Sequence, residues 1–253
     1  MNGKEHRMRR LFRQQDGRTV ILPVDHGVAL GHIEGLRAPV SVLRALVEVG
    51  PDAVLLNHGL SNAAFDLFSH IGSPARILTV DNFHIDDNAL FHYRIGWAQR
   101  AVVANYDAIK VLLPWDGTLE ERKTSIKLVA EMIKEADEWQ IPIIVEPTLL
   151  RGGPLDIGKL SDCVRVAFEL GADILKTPFP GATETLQEWV EAFRVPIVLL
   201  GGLKGISDDK LLASIREAMQ IGVKGVAIGR NVWQRDLPDA VDFFKKLVDI
   251  VHA

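Results

Sequence analysis

Eight short runs of mainly Val, Ile and Leu, each followed by a longer segment, constrain the fold of this chain more than any other feature. Such runs are typical of parallel strands buried on both faces, and the longer segments have the spacing of covering helices. Eight strand–helix units predict an α/β fold, a closed (β/α)8 barrel of the TIM type. The predicted strands are Thr19–Val24, Ala53–Leu56, Arg76–Val80, Ala108–Leu112, Pro142–Glu146, Ala172–Lys176, Pro196–Leu200 and Val223–Ile228.

Repeated joints between helices and strands indicate a single barrel domain over residues 1–253. A helix ends in glycine before the next strand in Leu170-Gly171-Ala172 and again in Ile221-Gly222-Val223, as a C-terminal cap favours. A doubly wound open sheet fits less well, because no Gly-x-Gly-x-x-Gly follows the first strand. The predicted helices are a short one before the first strand, then Val40–Val49, Ala89–Ala104, Leu119–Trp139, Lys159–Leu170, Thr183–Phe193, Asp208–Ile221 and Pro238–His252.

Composition and charge narrow the classes of function. At a formal net charge of −4, the chain has no general basic field for nucleic acid or an anionic membrane. Its single cysteine, Cys163, cannot form an internal disulfide and is expected to be a structural thiol. Residues 1–17 lack the apolar core of a signal peptide, so we expect a cytoplasmic protein. We expect that segment to close the barrel floor or to pack on a partner subunit.

Barrel enzymes carry their chemistry at the carboxyl ends of the strands, where one lysine is the leading candidate nucleophile. Lys176 ends the sixth predicted strand and should point into a partly desolvated mouth. Burial disfavours the charged form of an amine, and a neutral amine attacks a carbonyl to give an electron-withdrawing iminium. An ion pair with a carboxylate is the alternative role for this lysine. Lys110, inside the fourth strand, could serve the same chemistry or act as its cationic neighbour.

Two carboxylates follow apolar runs and are candidates for proton transfer beside an iminium. Asp25 follows the first strand and Glu146 ends the fifth. Either carboxylate could instead pair with a strand-end lysine or cap the next helix, and the residues alone leave this choice open.

Histidines near the strand ends raise the alternative of a divalent metal site. Their spacing matches no close ligand motif such as His-x-x-x-His. We therefore expect no metal and no other cofactor, and we expect the histidines to form hydrogen bonds within the mouth. The residues concerned are His26, His58 and His84, with Asp25, Asp81 or Glu146 as further ligands.

Glycine turns after the last two strands predict a phosphate-binding cup. Loops at this place in a barrel commonly expose backbone N–H groups to a phosphate, and glycine lets the backbone approach closely. Charged side chains would add contacts with the phosphate oxygens. The cup comprises Gly201, Gly202 and Lys204 after the seventh strand, and Gly229 and Arg230 after the eighth. A phosphorylated substrate is therefore expected.

Four segments carry a resemblance to a known family: Val24-Asp25-His26-Gly27, Gly171–Thr177, Gly201-Gly202 with Lys204, and Gly225–Gln234. Together they resemble the archaeal-type class I aldolases, often called the DhnA family, and the resemblance covers nearly the whole chain. It implies that Lys176 is the Schiff-base lysine and that Asp25 transfers protons or orients the substrate. It also implies that the cup binds the substrate phosphate and that the protein is a homo-oligomer, a pentamer or decamer.

One segment departs from the family pattern. Relatives carry a proton-shuttling tyrosine in a Tyr-Pro-Arg-Gly segment after the fifth strand, whereas residues 146–153 of this chain read EPTLLRGG. The chain's only tyrosines, Tyr93 and Tyr106, precede the fourth strand. Glu146 is the expected substitute, provided that its neighbours hold its pKa near neutrality.

Residues and resemblance together predict a class I aldolase that cleaves or condenses a phosphorylated ketose, for example one like fructose 1,6-bisphosphate. The family also includes an amino-dideoxy-heptulosonate synthase and a thiolase-like enzyme. Synthase or acyl-transfer chemistry on a phosphorylated ketone or dione is therefore the alternative. A phosphate-binding barrel without turnover is the non-enzymatic alternative, and the intact lysine and two carboxylates argue against it.

Overall fold

Eight parallel strands close into a barrel in the computed structural model, which describes residues 2–86, 89–201 and 207–253. A separate two-stranded sheet, β4 with β5, brings the described strands to ten. In chain order they are β1 (Thr19–Pro23), β2 (Ala53–Leu56), β3 (Ala75–Thr79), β4 (Asp81–Asp86), β5 (Ala89–Arg94), β6 (Ala108–Pro114), β7 (Ile143–Thr148), β8 (Ile174–Thr177), β9 (Ile197–Leu200) and β10 (Gly225–Ala227). Around the barrel the order is β1-β10-β9-β8-β7-β6-β3-β2. The predicted barrel and its eight strands are confirmed, and the open-sheet alternative is excluded.

Helices cover the outside of the barrel. Six of the predicted helices begin and end within two residues of their expected bounds. No described helix has the length and the apolar character needed to cross a membrane. The helices are α1 (Gly3–Leu11), α2 (Gly27–Leu30), α3 (Pro39–Val47), α4 (His58–Ala63), α5 (Ala98–Val103), α6 (Leu119–Glu138), α7 (Ile157–Leu170), α8 (Thr183–Phe193), α9 (Asp208–Ile221), α10 (Arg230–Trp233) and α11 (Leu237–Val251), with a 3-10 turn at Phe65–Phe68.

Alternate strand residues fill the barrel interior with apolar side chains. Ala108, Ile144 and Ile174 belong to this inner cluster, and Leu11 of α1 packs into the same cluster from below. Side chains along a strand alternate between its two faces, so the residue two positions further on also points inward. That rule places Lys110, Glu146 and Lys176 together, one layer above the apolar cluster and toward the carboxyl ends of their strands.

The predicted helix Ala89–Ala104 is wrong in its first half. Residues 89–94 form β5, which pairs antiparallel with β4, and only Ala98–Val103 is helical. Exposed and buried residues alternate along the first five positions of β5, which is the period of a strand. Its aromatic residues Phe91 and Tyr93 also favour a strand over a helix.

Candidate active site

One carboxylate joins two lysines in the barrel mouth. Glu146 Oε2 lies 2.8 Å from Lys176 Nζ and 3.0 Å from Lys110 Nζ. Both lysines are almost fully buried, with 6% of Lys176 and 4% of Lys110 exposed. The three side chains come from the adjacent strands β6, β7 and β8. The proposed nucleophile and the proposed acid/base are therefore in direct contact, as the ion pair that the sequence also leaves open as a structural role for both residues.

The two lysines set the charge of Glu146. Burial alone would raise the pKa of this carboxyl, but the charges of Lys110 and Lys176 outweigh burial and lower the pKa well below its ordinary value. Burial would likewise lower the pKa of Lys110, but Glu146, Asp81 and Asp25 raise it. The expected near-neutral pKa of Glu146 is wrong, because a second lysine stabilises the carboxylate. Glu146 is ionised in the free protein and can accept a proton, but its lowered pKa makes it a weaker base than a carboxylate with a pKa near neutrality.

Asp25 lies just beyond β1 and is held by residues from the two next strands. Thr79 donates a hydrogen bond from Oγ1 to Asp25 Oδ2 at 2.6 Å. Asn57 donates from Nδ2 to the Asp25 carbonyl at 2.6 Å. Neither partner was identified from the sequence, although both lie at strand ends, in β3 and directly after β2. These contacts fix the direction of the Asp25 carboxylate.

His26 lies between this carboxylate and the cup. Its Nδ1 is 3.5 Å from Asp25 Oδ1, and its ring meets Trp233 edge to face with the ring centroids 5.2 Å apart. Burial is the main cause that lowers the pKa of His26, and the positive charges of Lys176 and Arg230 lower it further, against Asp25 and Glu146. The lowered pKa favours the neutral form of the His26 imidazole.

The described part of the predicted cup joins the ends of β9 and β10. A Cβ on Gly201 would lie 2.6 Å from Asn231 Oδ1, so the two turns are in close contact. A Cβ on Gly229 would lie 2.6 Å from the Pro23 carbonyl, so close packing against β1 also requires this glycine. Arg230 begins α10 and is exposed. Gly202 and Lys204 lie outside the described residues.

The alternative metal ligands are not brought together. His58 Nδ1 lies 3.3 Å from the Tyr106 hydroxyl, and His84 is exposed on β4. Asp81 Oδ2 lies 2.9 Å from His92 Nε2 and accepts a hydrogen bond from the Leu112 N–H. Within the described ranges, no three His, Cys, Asp or Glu side chains are arranged to hold a metal ion. The expectation that these histidines form hydrogen bonds within the mouth is wrong: among the described residues the buried Nδ1 of His26 has no hydrogen-bond partner, His58 contacts Tyr106, and His84 is exposed.

The lone cysteine has the structural role expected of it. Cys163 is fully buried in α7 and donates a hydrogen bond from Sγ to the Leu113 carbonyl at 3.2 Å. Burial raises the pKa of its thiol, so the reactive thiolate is disfavoured.

Solved structures with the same architecture include Schiff-base aldolases. An archaeal fructose 1,6-bisphosphate aldolase aligns with a TM-score of 0.80 at 24% identity, over 99% of each chain, which supports the fold alone. A Schiff-base-forming fructose-1,6-bisphosphate aldolase, solved with reaction intermediates, aligns with a TM-score of 0.80 at 25% identity. That alignment covers 99% of this chain and 100% of the other.

Sequence relatives and a family match agree with the structures. The chain is 31% identical to an uncharacterized aldolase of Saccharolobus solfataricus, over 100% of this chain and 95% of the relative. It is 30% identical to the 2-amino-3,7-dideoxy-D-threo-hept-6-ulosonate synthase of Halobacterium salinarum, over 94% of this chain and 88% of the relative. Residues 19–235 match the DeoC/LacD family aldolase pattern, and this span includes every predicted catalytic residue. The chain therefore belongs to the DeoC/LacD family of aldolases, in agreement with its resemblance to the archaeal-type class I enzymes.

Proposed function

We propose that Lys176 of this class I aldolase forms a Schiff base with a phosphorylated ketose, and that the protein cleaves or condenses the adjacent carbon–carbon bond. The observation that carries the proposal is the contact between Lys176 Nζ and Glu146 Oε2 at 2.8 Å, inside a buried mouth. A lysine needs a nearby proton acceptor before its amine can attack a carbonyl, and Glu146 is that acceptor. Fructose 1,6-bisphosphate is one substrate of this class.

The reaction then runs in balanced steps. Lys176 gives a proton to Glu146, and its neutral amine attacks the ketone to form a carbinolamine. Glu146 returns this proton to the hydroxyl group of the carbinolamine, which leaves as water, so that a protonated iminium and an ionised Glu146 remain. A base then removes the proton from one hydroxyl group of the substrate. This hydroxyl group lies on the carbon that becomes the aldehyde when the bond breaks. The carbon–carbon bond breaks and an aldehyde leaves. The electron pair of the broken bond neutralises the iminium, which becomes an enamine. Protonation of the enamine and hydrolysis by water release the second product and regenerate Lys176.

Glu146 is the proposed base in the cleavage step. Lys110 and Lys176 keep it ionised, so it can accept a proton directly. Asp25 is the other carboxylate of the mouth, and its hydrogen bond from Thr79 suits it to orient a substrate hydroxyl group or to share the proton transfer. Lys110 remains a cation beside Glu146 after Lys176 has become an iminium. The carboxylate therefore keeps one stable positive partner throughout the reaction.

We place the substrate phosphate in the cup formed by Gly201, Gly229 and Arg230, together with Gly202 and Lys204. The close approach of Gly201 to Asn231 supports this proposal, because it brings the ends of β9 and β10 to one place. So does the exposure of the Arg230 side chain beside the mouth. Among the described residues, Arg230 forms no ion pair that would compete with a phosphate.

Synthase chemistry on a phosphorylated ketone or dione is the second candidate. A specific observation favours it: two relatives are named as synthases, the Halobacterium salinarum enzyme and, at 27% identity over 97% of this chain, the 2-amino-4,5-dihydroxy-6-oxo-7-(phosphonooxy)heptanoate synthase of Streptomyces griseus. Lys176 would form the same Schiff base in either reaction. The two candidates differ in the fragment that reacts with the enamine.

A turnover assay on a panel of phosphorylated ketoses, run with and without EDTA, tests the proposed function. We expect at least one ketose to be cleaved at an unchanged rate in EDTA, since an iminium supplies the electron sink that a metal supplies in other aldolases. Activity lost in EDTA and restored by zinc would overturn the Schiff-base assignment. Release of an acyl product in place of an aldehyde would favour the second candidate.

We further propose that the protein acts in the cytoplasm as a homo-oligomer. A buried free thiol at Cys163 suits a reducing compartment. The exposed apolar side chains of Phe65, Ile71, Trp97 and Val103 on the outside of the barrel suit contact with further copies. Light scattering of the purified protein would measure the number of subunits, and a monomer would contradict this proposal.

A further inference from the structure

The β4–β5 hairpin, described at residues 81–86 and 89–94, is a feature of the mouth that the proposed reaction leaves without a role. It follows β3 and precedes α5, and its two strands pair in register from Asp81 opposite Arg94 to Asp86 opposite Ala89. Residues directly opposite each other in such a pair share one face of the hairpin. Phe83 and His92 therefore share one face, whereas Asn82 and Tyr93 share the other.

One face of the hairpin is anchored to the barrel. His92 is 8% exposed, with Nε2 2.9 Å from Asp81 Oδ2 and Nδ1 3.0 Å from Ser125 Oγ of α6. Leu90, on the same face, is buried and its N–H donates to Glu121. The hairpin is thus held in place by α6 and by the hydrogen bond that Asp81 accepts from the Leu112 N–H of β6, so its opposite face points away from α6.

The opposite face carries a tyrosine paired with an asparagine. Asn82 Nδ2 donates to the Tyr93 hydroxyl at 3.0 Å and lies 3.4 Å from the Val28 carbonyl of α2. Asn82 is 9% exposed, whereas Tyr93 is 44% exposed. Because α2 directly follows Asp25 and His26 in the chain, this pair faces the segment that carries the Asp25 carboxylate.

The hairpin stands across the mouth from the phosphate cup. In the barrel order β1-β10-β9-β8-β7-β6-β3-β2, the gap between β6 and β3 is diametrically opposite the gap between β10 and β9. Asn82 lies three positions after Thr79, the hydrogen-bond donor to Asp25, so the Cα atoms of the two residues are at most about 11 Å apart. A ketose with its phosphate at β9 and β10 and its carbonyl at Lys176 would extend its far end toward the hairpin.

We propose that Tyr93 and Asn82 form the wall that recognises a hydroxyl group on the aldehyde fragment of the substrate. The inference rests on the proposed function, because only a carbon–carbon lyase has an aldehyde fragment to bind. A tyrosine hydroxyl and an asparagine amide both donate and accept hydrogen bonds, as a sugar hydroxyl group requires. Two arginines near the hairpin are already paired, Arg94 with Glu135 and Arg151 with Glu121, and a third, Arg122, lies over the Trp115 ring. The substrate class is therefore a ketose whose departing aldehyde carries a neutral hydroxyl group at this wall.

The test compares Tyr93→Phe with the wild type in two measurements. The first is borohydride trapping of dihydroxyacetone phosphate on the protein, which involves the ketone fragment alone. The second is kcat/KM for condensation of that ketone with glyceraldehyde and with propanal, which share a carbon skeleton and differ in hydroxyl groups. We expect Tyr93→Phe to be trapped as fully as the wild type. Its kcat/KM should fall about 5- to 30-fold with glyceraldehyde and should change little with propanal.

Tyr106→Phe is the matched control, because its hydroxyl contacts His58 and not the hairpin. Tyr106→Phe should leave the ratio of the kcat/KM values for glyceraldehyde and propanal unchanged. Equal losses with both aldehydes in Tyr93→Phe, or no loss with either, would overturn the proposal. So would a wild type that traps the ketone and condenses neither aldehyde. If the wild type traps no ketone at all, the proposed function fails, and the role of the wall fails with it.

Discussion

Glu146 Oε2 lies 2.8 Å from Lys176 Nζ, and the same oxygen lies 3.0 Å from Lys110 Nζ. Removing either lysine would leave the buried carboxylate one positive partner, whereas removing Glu146 would leave two buried ammonium groups close together. The carboxylate is thus the centre of the arrangement. The negative charge of Glu146 links the role of Lys176 as nucleophile to the role of Glu146 as base. Substitutions at and around Glu146 test these two roles separately.

Glu146→Gln should lower kcat by about 10²–10⁴, because the amide can take neither the Lys176 proton nor the hydroxyl proton. The Schiff base should form more slowly in this variant, with water as the acceptor of the Lys176 proton, and should still be trapped by borohydride after long incubation. Turnover and borohydride trapping, measured on the same preparation, separate the two steps. Asp25→Asn is the comparison variant and reports how much the other carboxylate contributes. Near-normal turnover in Glu146→Gln would leave Glu146 as an ion-pair partner and would transfer the proton role to Asp25.

Lys110→Met should shift the acid limb of the kcat/KM profile to higher pH. Burial raises the pKa of Glu146, and the two lysines together lower it, so loss of one lysine raises the pKa of Glu146 toward and above its ordinary value. The variant should therefore lose activity on mild acidification, in a range where the wild type is unchanged. Lys123→Met, at an exposed lysine on α6, is the control. An unshifted profile would mean that Lys110 does not set the ionisation of Glu146.

Arg230→Ala should weaken the binding of phosphorylated substrates more than that of their unphosphorylated analogues. The difference should be about 1.5–3 kcal/mol, for one lost charge-assisted contact. KM and inhibition constants for matched pairs of ligands measure this difference. Arg165→Ala removes an exposed arginine of α7 that pairs with Glu169 and should change neither class. Equally weakened binding of both classes of ligand in Arg230→Ala would mean that Arg230 supports the fold and does not bind the phosphate.

His252→Gln should destabilise the protein more at pH 6 than at pH 9, by about 1–3 kcal/mol at the lower pH. Burial and Arg13 lower the pKa of His252, but hydrogen bonds to Asp52 and Asp16 and the charge of Asp52 outweigh them and raise it. A raised pKa stabilises the fold below the ordinary histidine value and loses that effect as pH rises through the folded-state pKa.

Urea unfolding midpoints at the two pH values measure the cost of His252→Gln. His32→Gln, at an exposed histidine, is the control. An equal cost at pH 6 and pH 9 would show that the histidine charge does not contribute.

Strand positions and inward direction were predictable because they depend on local periodicity. Two-residue alternation from Ala108, Ile144 and Ile174 is enough to bring Lys110, Glu146 and Lys176 into one layer. The charge of Glu146 was not predictable, because it depends on how close two side chains from neighbouring strands come. The β4–β5 hairpin was missed because the apolar residues of β5 do not alternate with polar ones along the sequence; the alternation in burial that marks a strand arises only when one face packs against α6.

Mapping the borohydride-trapped adduct tests the Schiff-base assignment most directly. The protein is incubated with a phosphorylated ketose, reduced with borohydride, digested and analysed by mass spectrometry. We predict one adduct, on the peptide that contains Lys176, and no adduct in Lys176→Met. An adduct on Lys110, or trapping that persists in Lys176→Met, would contradict the role of Lys176 as the nucleophile.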